Sequence, residues 1–151
     1  MKVVSNNKKA YHDYFILDSY EAGIELKGTE IKSIRNGSAN LKDSFIRIKN
    51  QEAFLENMHV APYEMGNRFN HDPLRIRKLL LHKKEIRKIE AKLKEGGLTM
   101  VPLKLYFNDA NRVKVEIAIA KGKKLYDKRH DIAKKDQQRE AQRDFKVRNF
   151  G

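Results

Sequence analysis

The chain of 151 residues carries 33 Lys and Arg against 20 Asp and Glu, a formal charge of +13, and it contains no cysteine. This length allows one domain with a modest core rather than two. The lack of cysteine excludes disulfides, thiolate zinc sites and a cysteine nucleophile. No apolar run approaches the roughly 18 residues that span a bilayer, and the N-terminus lacks a signal peptide's apolar stretch. We therefore expect a cytoplasmic protein with no membrane partner.

The positive charge is concentrated toward the C-terminus. Residues 121–151 hold eleven Lys or Arg and five Asp or Glu, a net charge of +6, while residues 1–120 hold twenty-two and fifteen, a net charge of +7. Excess charge of one sign destabilises a compact state unless a counter-charged partner is present, and polyphosphate is the obvious partner. A charge run can also be a solvated helix face, but an imbalance in both segments favours a polyanion. We divide the chain into a domain at residues 1–122 and a basic tail at residues 123–151.

The first elements predicted along the chain are a bent β-segment and a short helix. Residues 14–17 and 24–27 are predicted to be strand, with Gly23 as a bulge in one long segment. Two isoleucines three residues apart, closed by Gly37, predict the short helix.

Residues 43–60 are predicted to form a β-hairpin. Ile46 and Ile48 alternate with charged residues, and residues 50–52 supply the turn. One face of the returning strand is expected to carry Phe54, Glu56, Met58 and Val60. The residues that follow, 62–73, are polar with two prolines and a glycine, which predicts a long loop that is functional or mobile.

The later residues predict a strand, a helix and a second hairpin. Residues 78–82 fit a buried strand or the first turns of a helix, and we favour the strand. Residues 83–95 place three apolar side chains on one helical stripe and end at two glycines, which predicts a helix. Alternating apolar residues at 101–107 and 113–119 predict an antiparallel hairpin. Pro102 cannot donate to a ladder, so we expect it at a sheet edge or a strand start.

The tail at residues 123–151 has too few apolar side chains to build a core, but it has good helix formers. We expect it to be flexible and disordered when free and helical when bound to a polyanion. The preceding elements predict a mainly β domain with about three helices. About six strands arranged in hairpins favour a small closed antiparallel barrel, similar to an oligonucleotide-binding fold.

The sequence lacks the residue spacings that are typical of catalytic and metal-binding motifs. None of the five histidines is four residues from another, and no HExxH, GxSxG or glycine-rich phosphate loop is present. A nuclease that uses His12 with Glu21 or Lys9 is conceivable, but a lone histidine beside a strand is more often structural. We predict a protein that is not an enzyme and uses no metal or cofactor.

Cations and aromatic residues are the ingredients of RNA binding. The aromatic residues near basic ones are Tyr11, Tyr14, Tyr20, Phe69, Tyr106 and Tyr126. Most of them are better explained as core or barrel-rim packing, and we expect at most two to stack on bases. The residues alone predict a basic barrel and a basic tail that bind structured RNA or ribosomes.

Five blocks of residues carry a resemblance to a known family. The blocks are NKKAYHDYFI at 7–16, EAGI at 21–24, LKGTEIKS at 26–33, RKLLL at 77–81 and AKGKKLYDKR at 120–129. Their order along the whole chain resembles the family of SsrA-binding protein, SmpB. The resemblance implies a monomeric, bacterial protein with an oligonucleotide-binding-like barrel. Such a protein binds the tRNA-like domain of transfer-messenger RNA and delivers it to stalled ribosomes for trans-translation, with elongation factor Tu joined indirectly through the charged RNA.

The resemblance implies RNA-binding roles for Glu21, Leu80 and His82. Each has an alternative role: Glu21 as an acid at a strand end, Leu80 in barrel packing and His82 at the start of the following helix. His82 departs from the asparagine of some relatives. A carboxylate is repelled by phosphate, so Glu21 is expected to accept from a base edge or a 2′-hydroxyl, or to orient a cation. Further phosphate contacts are expected from Lys8, Lys9 and His12 on the same side, and from Lys121, Lys123 and Lys124.

The resemblance also gives the tail a task. Tails in the family fold into a helix in the empty messenger channel of the small ribosomal subunit and so test whether message remains. The residues expected to contact the ribosome are Tyr126, Asp127, Lys128, Arg129, His130, Lys134, Lys135, Arg139 and Arg143. The alternative function is a general basic RNA chaperone or ribosome-binding protein, which binds by charge without preference.

Overall fold

The computed structural model describes residues 1–63 and 70–123. Its strands are β1 (Lys2–Asn6), β2 (Tyr14–Ile24), β3 (Ala39–Asn40), β4 (Phe45–Lys49), β5 (Glu52–Glu56), β6 (His59–Val60), β7 (Arg77–Leu80), β8 (Leu98–Phe107) and β9 (Val113–Gly122). Its helices are α1 (Lys8–Asp13), α2 (Gly28–Arg35) and α3 (Lys83–Lys94). In these two stretches, no helix has the length and apolar character needed to cross a membrane.

Seven strands form one antiparallel sheet in the order β1-β8-β9-β2-β7-β5-β4, and β3 pairs with β6 in a small second sheet. The prediction of a mainly β domain with three helices is confirmed for the described residues. The main sheet has seven strands rather than six, because the N-terminal residues add β1 beside β8. Its hydrogen-bonded order has β1 and β4 as edges and is not closed. The sheet is curled, since β4 also lies against β8.

The predicted hairpin of β8 and β9 is confirmed, but its apolar residues do not share one face. The register runs from Leu98↔Lys121 to Phe107↔Val113 and shifts between Pro102 and Lys104. Val101 and Leu103 pack in a small cluster with Ala10 of α1, whereas Leu105 and Phe107 pack in the main core. A bulge inserts one residue and so reverses which face the following side chains occupy.

Pro102 lies inside β8 rather than at its start. In the described pairing β1 reaches β8 only from Lys104 to Phe107, and Pro102 is paired with Ile117 of β9, so the predicted edge position holds locally. Proline is tolerated there because it lies at the bulge, where the ladder is already interrupted. Its carbonyl oxygen accepts a hydrogen bond of 2.8 Å from Nδ2 of Asn7. Asn7 also caps α1, since its Oδ1 accepts from the backbone N–H of Ala10 at 3.3 Å. This tertiary contact explains a helix that the sequence pattern did not predict.

The hairpin of β4 and β5 is confirmed, with Lys49 opposite Glu52 at its end. Asn50 and Gln51 have φ values of 53° and 62° and form a two-residue turn of the kind that suits a twisted hairpin. The predicted face of the return strand is wrong: Ala53 and Leu55 are buried, while Phe54 and Glu56 are partly exposed. Asn57, at φ 69°, ends the strand and resets the alternation, which buries Met58 and Val60.

The predicted strand at 78–82 and both predicted helices are confirmed as β7, α2 and α3. The glycines that follow the two helices have positive φ, 76° at Gly37, 85° at Gly96 and 74° at Gly97. Residues with a side chain rarely adopt this left-handed conformation, so glycine is favoured at these helix ends. Toward β7, Gly23 pairs in regular register with Leu80, so no bulge interrupts this side of β2. Of the predicted loop at 62–73, residues 64–69 lie outside the described residues.

A buried ion network joins α2 to β7. The Glu30 carboxylate and the Arg77 guanidinium have fully buried side chains, and Nε of Arg77 lies 2.6 Å from Oε2 of Glu30. Nη2 of Arg75 donates to Oε1 at 2.7 Å, and so does the backbone N–H of Lys27. Burial alone raises the pKa of Glu30, but these hydrogen bonds hold it below its ordinary value. Nη1 of Arg77 donates to the Met58 carbonyl oxygen at 2.8 Å and Nη2 to that of Pro73 at 3.3 Å, so all three nitrogens of the buried guanidinium have partners within the fold.

Candidate nucleic-acid interface

One open groove of about 680 Å³ brings together three of the predicted RNA-binding residues, Glu21, Leu80 and His82. The sheet explains their proximity, because β2 lies next to β7 and Gly23 is paired with Leu80. His82 follows β7 by two residues and begins α3. The other residues that line the groove are Gly23, Gln51, Glu52, Lys78, Leu79, Leu81, Lys83, Glu85, Ile86 and Lys114.

The Glu21 carboxylate is held by a tyrosine of β8. The Tyr106 hydroxyl donates to Oε2 of Glu21, and Tyr106 is only 7% exposed. Burial and this hydrogen bond raise the pKa of Tyr106, so the hydroxyl stays protonated and remains a donor. A carboxylate has about four acceptor positions. Glu21 is exposed, and it keeps acceptor capacity toward the groove after Tyr106 has taken one position.

Tyr106 belongs to the core rather than to a stacking surface. The sequence pattern allows Tyr106 either to stack on a base or to pack in the domain, and its burial confirms packing. Its cross-strand partner is Lys114 of β9, which also lines the groove. The sequence predicts Tyr106 only as a candidate stacking residue and gives Lys114 no site role, since period-two alternation does not show which strand lies next to β9.

Leu80 is the most exposed of the leucine and isoleucine side chains that line the groove, since Leu79 and Ile86 are buried and Leu81 is partly buried. It is 48% exposed. A Cβ at Gly23 would lie 3.3 Å from the Leu80 Cβ, a tight contact that would require Leu80 to shift by a few tenths of an ångström. Gly23 is therefore used for close packing, and Leu80 presents an apolar surface to which a ribose or a base can pack.

His82 is the N-cap residue of α3, with φ −70° and ψ 147°. Its backbone N–H donates to Oε1 of Glu85 at 3.0 Å, as in a capping box. The alternative role, the start of the helix, is therefore confirmed. The residue is exposed at the groove, so the backbone serves the helix while the ring is open to a ligand.

Three lysines supply positive charge to the groove, Lys78, Lys83 and Lys114. Nζ of Lys78 lies 2.6 Å from Oε2 of Glu52, which also lines the groove. Hydrogen bonding to Glu52 raises the pKa of Lys78, so the amine stays charged. Carboxylates, lysines and apolar side chains line the same groove, and such a mixed lining is suited to contacts with bases and riboses as well as with phosphates.

Lys8, Lys9 and His12 lie on α1 and are exposed. None of them is among the residues that line the groove of Glu21. Lys9 instead lines a second cavity, and its Nζ lies 3.5 Å from Oδ1 of Asp43. Nδ1 of His12 contacts Oδ1 of Asp13 at 2.9 Å. The expected contacts of α1 are therefore not part of the groove.

Two more predicted cations are described. Lys121 is exposed and lies opposite Leu98 in the register of β9, and Lys123 is partly buried. The predicted residues beyond them lie outside the described residues: Lys124, Tyr126, Asp127, Lys128, Arg129, His130, Lys134, Lys135, Arg139 and Arg143. In the two described stretches, no group of three His, Asp or Glu side chains is arranged to hold a metal ion.

A curled antiparallel sheet, a net positive charge and a groove of mixed polarity define a small basic β-protein. These features are typical of nucleic-acid-binding domains. Residues 4–147 match the family model described as "SmpB protein". The chain belongs to the SmpB family. It is 63% identical over 142 residues to the SsrA-binding protein of Desulforudis audaxviator, covering 94% of this chain and 92% of the relative. It is 62% identical over 148 residues to the SsrA-binding protein of Geotalea uraniireducens, and the match covers 98% of this chain and 97% of the relative.

A solved structure shows the same likeness in three dimensions. The chain matches one described as "tmRNA-SmpB: a journey to the center of the bacterial ribosome" with a TM-score of 0.65 and 52% sequence identity. The match covers 78% of this chain and 82% of the other. The family predicted from the five sequence blocks is therefore confirmed.

Proposed function

We propose that this chain is an RNA-binding adaptor that binds the tRNA-like domain of transfer-messenger RNA and delivers it to stalled ribosomes for trans-translation. The observation that carries the proposal is its identity of about 60% over nearly its full length with proteins named SsrA-binding protein. The structural match to a chain described with tmRNA and the ribosome supports both partners. The net charge of +13 suits a polyphosphate partner.

The groove is where we place the specific contacts. Glu21 accepts a hydrogen bond from a base edge or a 2′-hydroxyl, with Tyr106 holding its other oxygen. Leu80 packs on a ribose or base, and the His82 ring hydrogen-bonds beside it. The lysines of the groove neutralise neighbouring phosphates, which offsets the repulsion between Glu21 and the RNA. Lys8, Lys9, His12, Lys121, Lys123 and Lys124 add phosphate contacts outside the groove.

The domain itself acts as an oligonucleotide-binding-like barrel, a role that the contact between β4 and β8 across the curled sheet supports. The protein works as a monomer in the cytoplasm and performs no catalysis of its own. Elongation factor Tu joins the complex through the charged RNA rather than through this chain.

The tail at residues 123–151 probes the messenger channel. Its cationic residues fold as a helix against ribosomal RNA only when the channel is empty, because message and tail compete for the same space. Such a tail reports on the length of message that remains. The net charge of +6 in residues 121–151 supports this role.

Capture of the full chain from lysate, followed by sequencing of the bound RNA, tests the partner. Transfer-messenger RNA should be the most enriched RNA relative to its abundance. Enrichment of all RNAs in proportion to their abundance would instead favour the general RNA chaperone that the basic composition also allows.

Removal of residues 123–151 tests the tail separately. We expect binding of transfer-messenger RNA to be largely intact and peptide tagging on stalled ribosomes to be abolished. A version with the tail residues in scrambled order, which keeps length and charge, is the matched control and should also fail. Tagging that survives the deletion would contradict the tail's role and leave the groove's role unaffected.

A further inference from the structure

The outward face of α3 is strongly basic. Its exposed charged residues are all cations: Lys83, Lys84, Arg87, Lys88, Lys92 and Lys94. The two acids of the helix, Glu85 and Glu90, are only partly exposed and flank the buried Ile86 and Ile89. The cations of α3 are therefore exposed to solvent, and its two acids lie nearer the buried side of the helix.

This arrangement is unfavourable for the helix alone. Lys84, Lys88 and Lys92 follow one another at four-residue spacing, where like charges destabilise a helix. Opposite charges do meet elsewhere on α3, where Glu90 lies four residues before Lys94, but no acid lies four residues from Lys84, Lys88 or Lys92. Within residues 1–63 and 70–123, none of the six cations forms an ion pair. The face is therefore suited to an external anion.

The position of the helix identifies that anion. The first turn of α3 is a wall of the groove, since Lys83, Glu85 and Ile86 line it. Lys84 comes next in the chain, and the eight helical steps from Lys84 to Lys92 extend the cationic row by about 12 Å. A nucleic-acid strand that leaves the groove at Lys83 meets this row directly.

We propose that the outward face of α3 is a second RNA contact, which binds the sugar-phosphate backbone of the RNA whose bases or riboses occupy the groove. Lysine ammonium groups act as point charges on phosphates and read no base. The face therefore adds affinity and orientation, whereas preference for one RNA resides in the groove. This inference rests on the proposed function only for which RNA is bound. The contact between lysines and phosphates does not depend on that function.

The test is the triple variant Lys84→Gln, Lys88→Gln, Lys92→Gln in the full chain. The matched control, Lys2→Gln, Lys42→Gln, Lys49→Gln, removes the same charge from three exposed lysines elsewhere in the domain. Affinity for transfer-messenger RNA and for bulk tRNA is measured from about 50 to 200 mM salt. Thermal unfolding of both variants checks folding, and removal of like-charge repulsion should leave α3 no less stable.

We expect the α3 variant to lose roughly tenfold in affinity for both RNAs and its log–log salt slope to fall by about 2, since each lost phosphate contact lowers the slope by about 0.7 to 0.9. The ratio of the two affinities should stay unchanged. A loss no greater than that of the control would overturn the inference, whether or not transfer-messenger RNA is preferred. If the unmodified chain shows no preference, the proposed function fails, and the salt slope still decides the role of α3.

Discussion

Two carboxylates of this domain, Glu30 and Glu21, are held in opposite ways. Glu30 is fully buried, and two arginines and a backbone N–H saturate its oxygens. Glu21 is exposed in a groove and has Tyr106 as a neutral donor on one oxygen. The first arrangement uses the carboxylate oxygens for contacts within the fold, so they are not available to a ligand, and it fixes α2 against β7. The second holds a carboxylate in place and leaves part of its hydrogen-bonding capacity open, which is what recognition needs.

The largest effect is expected at the buried carboxylate. Glu30→Gln leaves Arg77 charged and unpaired in the interior, which typically costs about 3–5 kcal/mol. The measurement is the free energy of unfolding by urea. Asp109→Asn is the matched control, because the Asp109 side chain is 98% exposed in its pair with the N-terminus, and it should change the stability by less than about 0.5 kcal/mol. Equal stabilities of the two variants would contradict a structural role for the network.

The pH dependence of stability follows from the same group. The pKa of Glu30 is lowered in the folded state from an ordinary value of 4.5. Its contribution is therefore complete above about 4.5 and is lost as the pH falls through the lower, folded pKa. Stability measured from pH 6 downward should fall in this range, and Glu30→Gln should remove part of that fall. An identical acid slope in the variant would show that other carboxyl groups are responsible.

The next effect is expected at the open carboxylate. Glu21→Gln replaces an acceptor oxygen by a donor and should weaken binding of transfer-messenger RNA by roughly ten- to a hundredfold, with stability unchanged. Glu25→Gln is the control, since Glu25 is exposed, carries the same charge and does not line the groove. Tighter binding by Glu21→Gln would mean that the carboxylate only repels phosphate.

A smaller effect is expected at the residue that holds Glu21. Tyr106→Phe removes the hydroxyl and keeps the ring, so binding should weaken by about fivefold and stability should fall by about 1 kcal/mol. The loss of binding should nearly vanish in the Glu21→Gln background, because the two groups act as one unit. Additive losses in that double-mutant cycle would exclude a positioning role for Tyr106.

The smallest effect is expected on α1. Lys9→Gln should lower affinity by about threefold or less for all RNAs and reduce the salt slope by about 1, as for one phosphate contact. A selective loss for transfer-messenger RNA would bring α1 into the recognition site and would blur the contrast with the groove.

Local pattern predicted the regular elements and missed the points where the pattern shifts. The two hairpins, α2 and α3 follow from period-two and helical spacing. The bulge at Pro102 and the reset at Asn57 each reverse a strand's faces, and neither can be read from alternation. Helix α1 depends on the contact of Asn7 with a strand 95 residues away.

The site was predictable only in part. Glu21, Leu80 and His82 came from the resemblance of separate sequence blocks, and the sheet brings them into one groove. Tyr106 and Lys114 had no such signal, because their roles depend on the order of β8, β9 and β2 in the sheet. Strand order is a long-range property, and residue spacing within one strand does not contain it.

The most direct test is competition binding at physiological salt, with labelled transfer-messenger RNA displaced by unlabelled copies of itself or by bulk tRNA, for the unmodified chain and for Glu21→Gln. The groove should make the unmodified chain prefer transfer-messenger RNA by at least tenfold, and Glu21→Gln should lose most of that preference while keeping its affinity for bulk tRNA. Equal competition by both RNAs against the unmodified chain would contradict the adaptor function, and a preference untouched by Glu21→Gln would contradict the groove as its source.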